Sequence, residues 1–277
     1  MRISVMGTGM VGGALARYLA SKGNEDIGLY DPPKGLADVS VLARADVIFI
    51  AVPTPFYLDG SGFDDSFMRA AIEAIPSPGK CIVFKSTIPP GTTDRFQEHY
   101  PQHRFLFNPE FLSEATADHD MLYPKRQIVG FTHANRADAQ RVLDLLPPAP
   151  FQTIVPAKAA EMVKYFGNAF YALKVAYANQ MYDLCQAIGV DYDLVKQCAN
   201  AEPMMVGDRA NTHLEVFHKG YRGYGGKCLP KDTRSIIQLA KQRGIQLTLL
   251  QEAENYNNDL GRKQNLNIQW EEGSPKK

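Results

Sequence analysis

With 277 residues, of which 45% are hydrophobic and 22% charged, the chain is able to bury at least one substantial core and is expected to form two domains. Lys+Arg 30 balances Asp+Glu 30, which argues against a basic field for nucleic acid and against an acidic field for a cationic partner. The four cysteines lack metal-ligand spacing, no apolar run reaches about 18 residues, and the N-terminus lacks a signal-peptide pattern, so the expectation is no metal, no membrane and a cytoplasmic location.

In chain order, alternating Ile3 and Val5 predict a strand, followed by Gly7, Gly9 and Gly12 in GxGxxG spacing and an apolar helical pattern through Leu15 and Leu19. Gly7 permits a tight turn, Gly9 lets a pyrophosphate approach, and Gly12 lets helix and strand pack, with the phosphates at the helix N-terminus. Ile27 to Tyr30 predicts a second strand. Asp31 at its end suits a ribose 2′-hydroxyl and repels a 2′-phosphate, which points to NAD rather than NADP; the bland alternative is a solvated aspartate. Buried strands are expected at Val47 to Val52, Cys81 to Lys85, Phe105 to Phe107 and Ile128 to Gly130. Their alternation with helical segments gives an α/β class and an N-terminal Rossmann-like parallel sheet over residues 1–150.

Prolines at 147, 148, 150 and 156 mark a boundary, and 151–260 is expected to be an all-α domain. Ala157 to Ile188 predicts one long helix, with Glu161, Lys164 and Asn168 on one face, as a site or as ordinary surface residues. Another helix begins near Gln251, and 261–277 is a polar tail that should fray.

Between these helices lies GYGGKCLPKD, Gly223 to Asp232, which reads as a nucleophile site. Gly223, Gly225 and Gly226 let backbone approach a ligand, and Pro230 suits the first turn of a helix. Cys228 then sits near a helix N-terminus, where the dipole, Lys227 and Lys231 favour thiolate. Asp232 orients a lysine or accepts a proton. The bland reading is a small buried cysteine beside a turn.

Six ordered blocks together resemble the UDP-glucose and GDP-mannose dehydrogenase family across nearly the whole chain. They are GTGMVG, AVPTP at 51 to 55, KSTIPPGTT at 85 to 93, FNPEFLSE at 107 to 114, AAEMVKYFGNAF at 159 to 170, and GYGGKCLPKD, whose tyrosine is more like the UDP-glucose branch. The resemblance implies NAD-dependent oxidation of a nucleotide-sugar alcohol through aldehyde to acid by a homodimer, with Cys228 carrying thiohemiacetal and thioester. It assigns 151–260 the central, dimerisation role. Lys164 and Asn168 would hold the oxyanion, Asp232 would position water or lysine, and Thr87 and Glu110 would handle water and proton. It places Met10, Val11, Val52, Pro53, Thr54, Ser86, Thr87, Glu114 and Lys231 along the cofactor with the glycines and Asp31. Phe111, Leu112, Tyr221 and Gly225 fall on the substrate side with Glu110, Lys164, Asn168 and Cys228.

Two departures stand out. The family's C-terminal nucleotide-sugar-binding domain is missing from this sequence, and the stretch between Asp31 and Asp46 is short, so the cofactor domain is abbreviated. Lys219 and Arg222, where the family more often carries asparagine and an aromatic, either clamp a diphosphate or are two solvated side chains. Two other readings stay open: an NAD-dependent dehydrogenase of a smaller substrate, and the NAD-binding part of a split enzyme.

Overall fold

A computed structural model describes residues 1–23, 26–202, 212–217, 220–226 and 228–266. The chain forms two compact units, Met1–Pro55 with Phe63–Lys164, and Phe56–Gly62 with the described residues from Tyr165 onward.

The first unit is built on a seven-stranded sheet of β1 (Ile3–Met6), β2 (Ile27–Tyr30), β3 (Val47–Ile50), β6 (Cys81–Phe84), β7 (Arg104–Phe107), β8 (Arg126–Phe131) and β9 (Phe151–Pro156), in the order β2-β1-β3-β6-β7-β8-β9. Among the described residues two further strands, β4 (Phe56–Tyr57) and β5 (Gly62–Phe63), form a short hairpin that falls in the second unit up to Gly62. β1, β3 and β6 are apolar almost throughout because both faces of the sheet are covered. Ile3, Val5, Val47, Phe49 and Val83 face a cluster with Leu15 and Leu19 of α1 (Met10–Ser21). Ile48, Ile50, Ile82, Phe84 and Phe105 face the opposite cluster with Met68 and Phe96. A one-residue register slip would exchange these faces, which is why the pairing Ile3↔Val47 and Val47↔Cys81 is strongly specified.

Short helices complete the layers: α2 (Ser40–Arg44), α3 (Ser66–Glu73), α4 (Thr92–His99), α5 (Ala117–Leu122) and α6 (Arg136–Leu145). Between Asp31 and Asp46 the chain makes only a 3₁₀ turn at Pro32–Lys34 and then α2.

The sheet departs from an all-parallel arrangement at one pair. β8 runs antiparallel to β7, and β9 pairs parallel with β8 along six residues, joined to it through α6. The proline-rich stretch expected to be a boundary therefore contains a strand. Pro156 is tolerated because β9 is the edge strand and Pro156 its last residue. The two units divide after Lys164, inside the next helix rather than at residue 150.

That helix, α7 (Ala157–Ala187), is one continuous run as its pattern predicts. The second unit adds α8 (Tyr192–Ala199), α9 (Leu229–Gln242) and α10 (Thr248–Lys263). Asp191 caps α8 by accepting from the Asp193 amide. Tyr165, Ala169 and Ile236 form one small core with Leu239, Leu247 and Leu250, while Ala172, Val175 and Tyr224 form another with Leu229. Gly261 to Lys263 of the expected polar tail end α10, and 267–277 lie outside the described residues.

Candidate active site

The turn after β1 leaves the carboxyl end of the sheet where the strand order reverses, between β1 and β3, the place at which open α/β sheets take ligands. Gly7 has φ +82°, and a Cβ there would fall 2.6 Å from the Ala51 carbonyl oxygen. A Cβ at Gly12 would lie 1.9 Å from the Gly7 oxygen, so both positions require glycine. Gly9 caps α1, and a Cβ there would meet no atom within 4 Å. The turn thus exposes backbone to open space at the helix N-terminus, which fits a dinucleotide pyrophosphate. Met10 and Val11 open α1 beside it.

Asp31 Oδ2 accepts from the Thr8 backbone N–H and the Thr8 hydroxyl, each at 2.7 Å, with Lys34 Nζ at 3.6 Å. Burial opposes its ionisation, but these hydrogen bonds and the Lys34 charge outweigh it and hold the carboxyl below its usual range. A ribose at this strand end would share the carboxylate with the glycine turn. Further along the same edge, Ser86 Oγ donates to the Val52 carbonyl at 2.6 Å, and Thr54 Oγ1 donates to the Thr87 carbonyl at 2.8 Å. These two bonds lock the loops after β3 and β6 together around Pro53.

After β7 the chain places Asn108 and Glu110. Glu110 Oε1 pairs with Lys164 Nζ at 2.7 Å, both largely buried, and Glu110 Oε2 accepts from the Leu112 amide at 2.8 Å. Phe111 is covered by the Arg126 guanidinium at 3.8 Å, and Glu114 is exposed in the segment before α5. Two buried charges beside this pair, Lys85 and Glu161, carry no role in the site that the resemblance implies. Lys85, at the end of β6, donates to Asn108 Oδ1; burial pushes its ammonium down to about 8, with Glu110 acting in the other direction. Glu161 of α7 is fully buried rather than on an ordinary surface, and accepts from the Gly91 and Thr93 amides and the Thr93 hydroxyl. Burial raises its carboxyl to about 7 against those hydrogen bonds.

In the second unit, Cys228 is exposed at the N-cap of α9, with Pro230 in the first turn. Its carbonyl accepts from the Asp232 amide at 2.9 Å. Asp232 is 1% exposed and is held from two sides, by Asn168 Nδ2 on Oδ2 and by Lys231 Nζ at 2.7 Å on Oδ1. Lys164 and Asn168, four apart on α7, are both buried. Tyr221 and Gly225 are half-buried in the glycine loop.

Arg222 is neither solvated nor a free cation. Its guanidinium pairs with Asp183 at 2.7 Å, bonds the Asn179 side chain and carbonyl at 3.2 Å, and lies 5.0 Å from the Tyr182 ring. It ties the loop to α7. Lys219 and Lys227 lie outside the described residues. Among the described residues no group of His, Cys, Asp and Glu is arranged to hold a metal ion.

Comparison with known proteins bears on both units. The profile described as UDP-glucose/GDP-mannose dehydrogenase family, NAD binding domain, matches residues 36–145, and that of the same family's central domain matches 158–259. A UDP-glucose 6-dehydrogenase of Pseudomonas aeruginosa is 32% identical over 92% of this chain and 64% of its own length. A putative UDP-glucose 6-dehydrogenase of Bacillus subtilis is 30% identical over 93% of this chain and 67% of its own. The chain belongs to the UDP-glucose/GDP-mannose dehydrogenase family. A solved UDP-glucose dehydrogenase of the hyperthermophilic archaeon Pyrobaculum islandicum superposes with a TM-score of 0.81 at 28% identity, covering 94% of this chain and 68% of that one. This family member thus spans about two thirds of the length of the relatives it matches. Its first unit is the family's NAD-binding fold, and NAD is its cofactor. No helix among the described residues is long and apolar enough to cross a membrane.

Proposed function

We propose that this chain oxidises the C6 alcohol of a nucleotide sugar, UDP-glucose or a close relative, through the aldehyde to the acid, using the Cys228 thiol as covalent carrier. The observation that carries the reading is Cys228 standing exposed at the N-cap of α9, one turn before a buried Asp232 gripped by Asn168 and Lys231. A thiol at a helix N-terminus is biased toward thiolate, and the fixed carboxylate keeps its neighbours in place.

NAD, when bound, accepts a hydride in each of the two oxidations. The residues do the rest. The thiolate adds to the C6 aldehyde, forming a C–S bond while the carbonyl oxygen takes up a proton, which gives a thiohemiacetal. Loss of that proton and of the second hydride leaves a thioester. Water then adds, the C–S bond breaks, and the acid leaves as the thiol is restored. Lys164 and the Asn168 amide stabilise the oxyanion at each tetrahedral stage. Glu110, paired with Lys164 at 2.7 Å, is the proton acceptor for water, and Thr87 shares in handling that water. Phe111, Leu112, Tyr221 and Gly225 contact the sugar, and Glu114 stands near the nicotinamide. The reading further has the protein act as a homodimer in the cytoplasm.

The test is a count. Purified chain with excess NAD and limiting UDP-glucose, GDP-mannose or a UDP-N-acetyl sugar is expected to form two NADH per sugar with one of them. Cys228→Ala is expected to form no acid. Acid production by that variant at the normal rate rules out the covalent route, and activity only on a sugar phosphate or hydroxy acid selects a smaller substrate.

A further inference from the structure

The loop that carries Cys228 is rich in glycine and is held from outside itself. On α10, Asn257 Oδ1 accepts from the Tyr224 N–H at 2.7 Å and Asn257 Nδ2 donates to the Tyr224 C=O at 2.9 Å. At the end of the same helix, Gln264 Oε1 accepts from the Arg222 N–H at 2.8 Å and its Nε2 donates to the Arg222 C=O at 3.0 Å. Each carboxamide is a detached peptide group, with an acceptor and a donor side by side, and each here brackets one backbone unit of the loop as a neighbouring strand would. Between the two bracketed residues sits Gly223 with φ +95°, where a Cβ would fall 2.6 Å from Asn257 Oδ1. Glycine is required there by conformation and by contact.

Glu254 extends the same helix face, one turn before Asn257. Its Oε2 accepts from the Tyr224 hydroxyl at 2.7 Å, and its Oε1 binds Arg234 Nε of α9. Glu254 is 4% exposed and Asn257 1%. One face of α10 therefore holds both the entry to the loop, at 222 and 224, and the helix into which the loop runs. Cys228 lies between those two anchorages.

We infer that Asn257 and Gln264 are positioning residues for the nucleophile: their carboxamides set the course of the glycine loop, and so the place of the Cys228 thiol at the start of α9. The inference rests on the proposed role of Cys228. A thiol misplaced by about 1 Å loses on the order of a hundredfold in attack rate, while the first oxidation, which needs no thiol, is spared. The signature is a split between the two oxidations, with aldehyde escaping.

The experiment uses the full chain in a Cys198→Ser background, because Cys198 is the other exposed thiol and Cys81 and Cys185 are buried. Iodoacetamide alkylation across pH then reports Cys228. Asn257→Ala and, as a milder change, Gln264→Ala are each compared with the parent for alkylation profile, for NADH formed per UDP-glucose, and for aldehyde caught by a carbonyl reagent. The expected result is an alkylation midpoint displaced upward, slowing reaction at pH 7 by up to about tenfold for a one-unit shift, with NADH per sugar falling from two toward one and trapped aldehyde rising. Both variants matching the parent in all three readouts overturns the inference. A parent that forms no NADH from UDP-glucose is a failure of the substrate reading alone. In that case the alkylation profile decides the inference, a displaced midpoint in either variant supporting it and unchanged midpoints in both overturning it.

Discussion

At Gly9 the backbone φ of −68° is open to any residue and a Cβ would touch nothing within 4 Å, so the protein itself does not need glycine there. The cofactor does. Gly9→Ala is expected to melt within a degree or two of the parent while NAD binding by calorimetry weakens tenfold or more, the cost of placing a methyl against the pyrophosphate being about 1–3 kcal/mol. Equal affinity in the two proteins would remove Gly9 from the site. Lys85 makes a different kind of demand. Its ammonium is pushed down to about 8 by burial, so between that pH and 10.5 the unfolded chain holds a proton that the native chain has released. Its contribution to stability accordingly rises with pH across that window. Lys85→Met lacks the titrating group, and urea titrations at pH 7, 8 and 9 should show the parent gaining on the variant by about 1 kcal/mol per pH unit above 8. A stability difference independent of pH would mean that Lys85 stays charged.

Among the elements, α4 is the one that depends most on a distant residue. Its N-cap, Gly91, has φ +96° and no side chain to offer, and the orphan amides of Gly91 and Thr93 are satisfied by Glu161 from α7. Glu161→Ala should cost about 2 kcal/mol, the loss of a cap together with its buried hydrogen bonds, and hydrogen exchange should speed up at Thr92 to Arg95 first. Because burial raises the Glu161 carboxyl from 4.5 to about 7, the native state keeps its proton longer than the unfolded chain, and the contribution of this group declines as pH rises through that window. The penalty of the substitution is therefore larger at pH 5 than at pH 8. The sequence shows Glu161 only as a residue one turn before Lys164; nothing in its spacing reveals that a carboxylate there caps another helix. The same limit hides the reversal at β8, since Ile128 to Gly130 reads as a buried strand whichever way its neighbour runs. It also hides Asn257, one of three asparagines in ENYNND on a largely polar helix, of which packing rather than pattern selects the buried one. The glycine turn, Asp31, the length of α7 and the cysteine loop at the start of α9 are legible because each depends on neighbours within a few residues.

At the scale of the molecule, the second unit leaves Phe166, Phe170, Tyr177 and Leu184 of α7 exposed, at 71%, 50%, 53% and 52%, together with Leu249 of α10 at 69%. The spacing of the four on α7 lays them along one stripe of that helix, and solitary apolar residues would need no account whereas a stripe does. A second copy of the chain is the occupant the proposed homodimer requires. Sedimentation should give about twice 30.8 kDa, and Phe166→Glu combined with Phe170→Glu should give the single-chain mass; a parent that already sediments as one chain contradicts the dimer. The first unit carries a tighter constraint at the crossing of β8 and α7. A methyl on Gly130 would lie 2.8 Å from the Ala157 Cα and 2.9 Å from the Ala160 Cβ. The nearer of those atoms is backbone, which no exchange at 157 or 160 can clear, so any lineage that preserves this crossing should keep position 130 invariant as glycine while the residues around it drift.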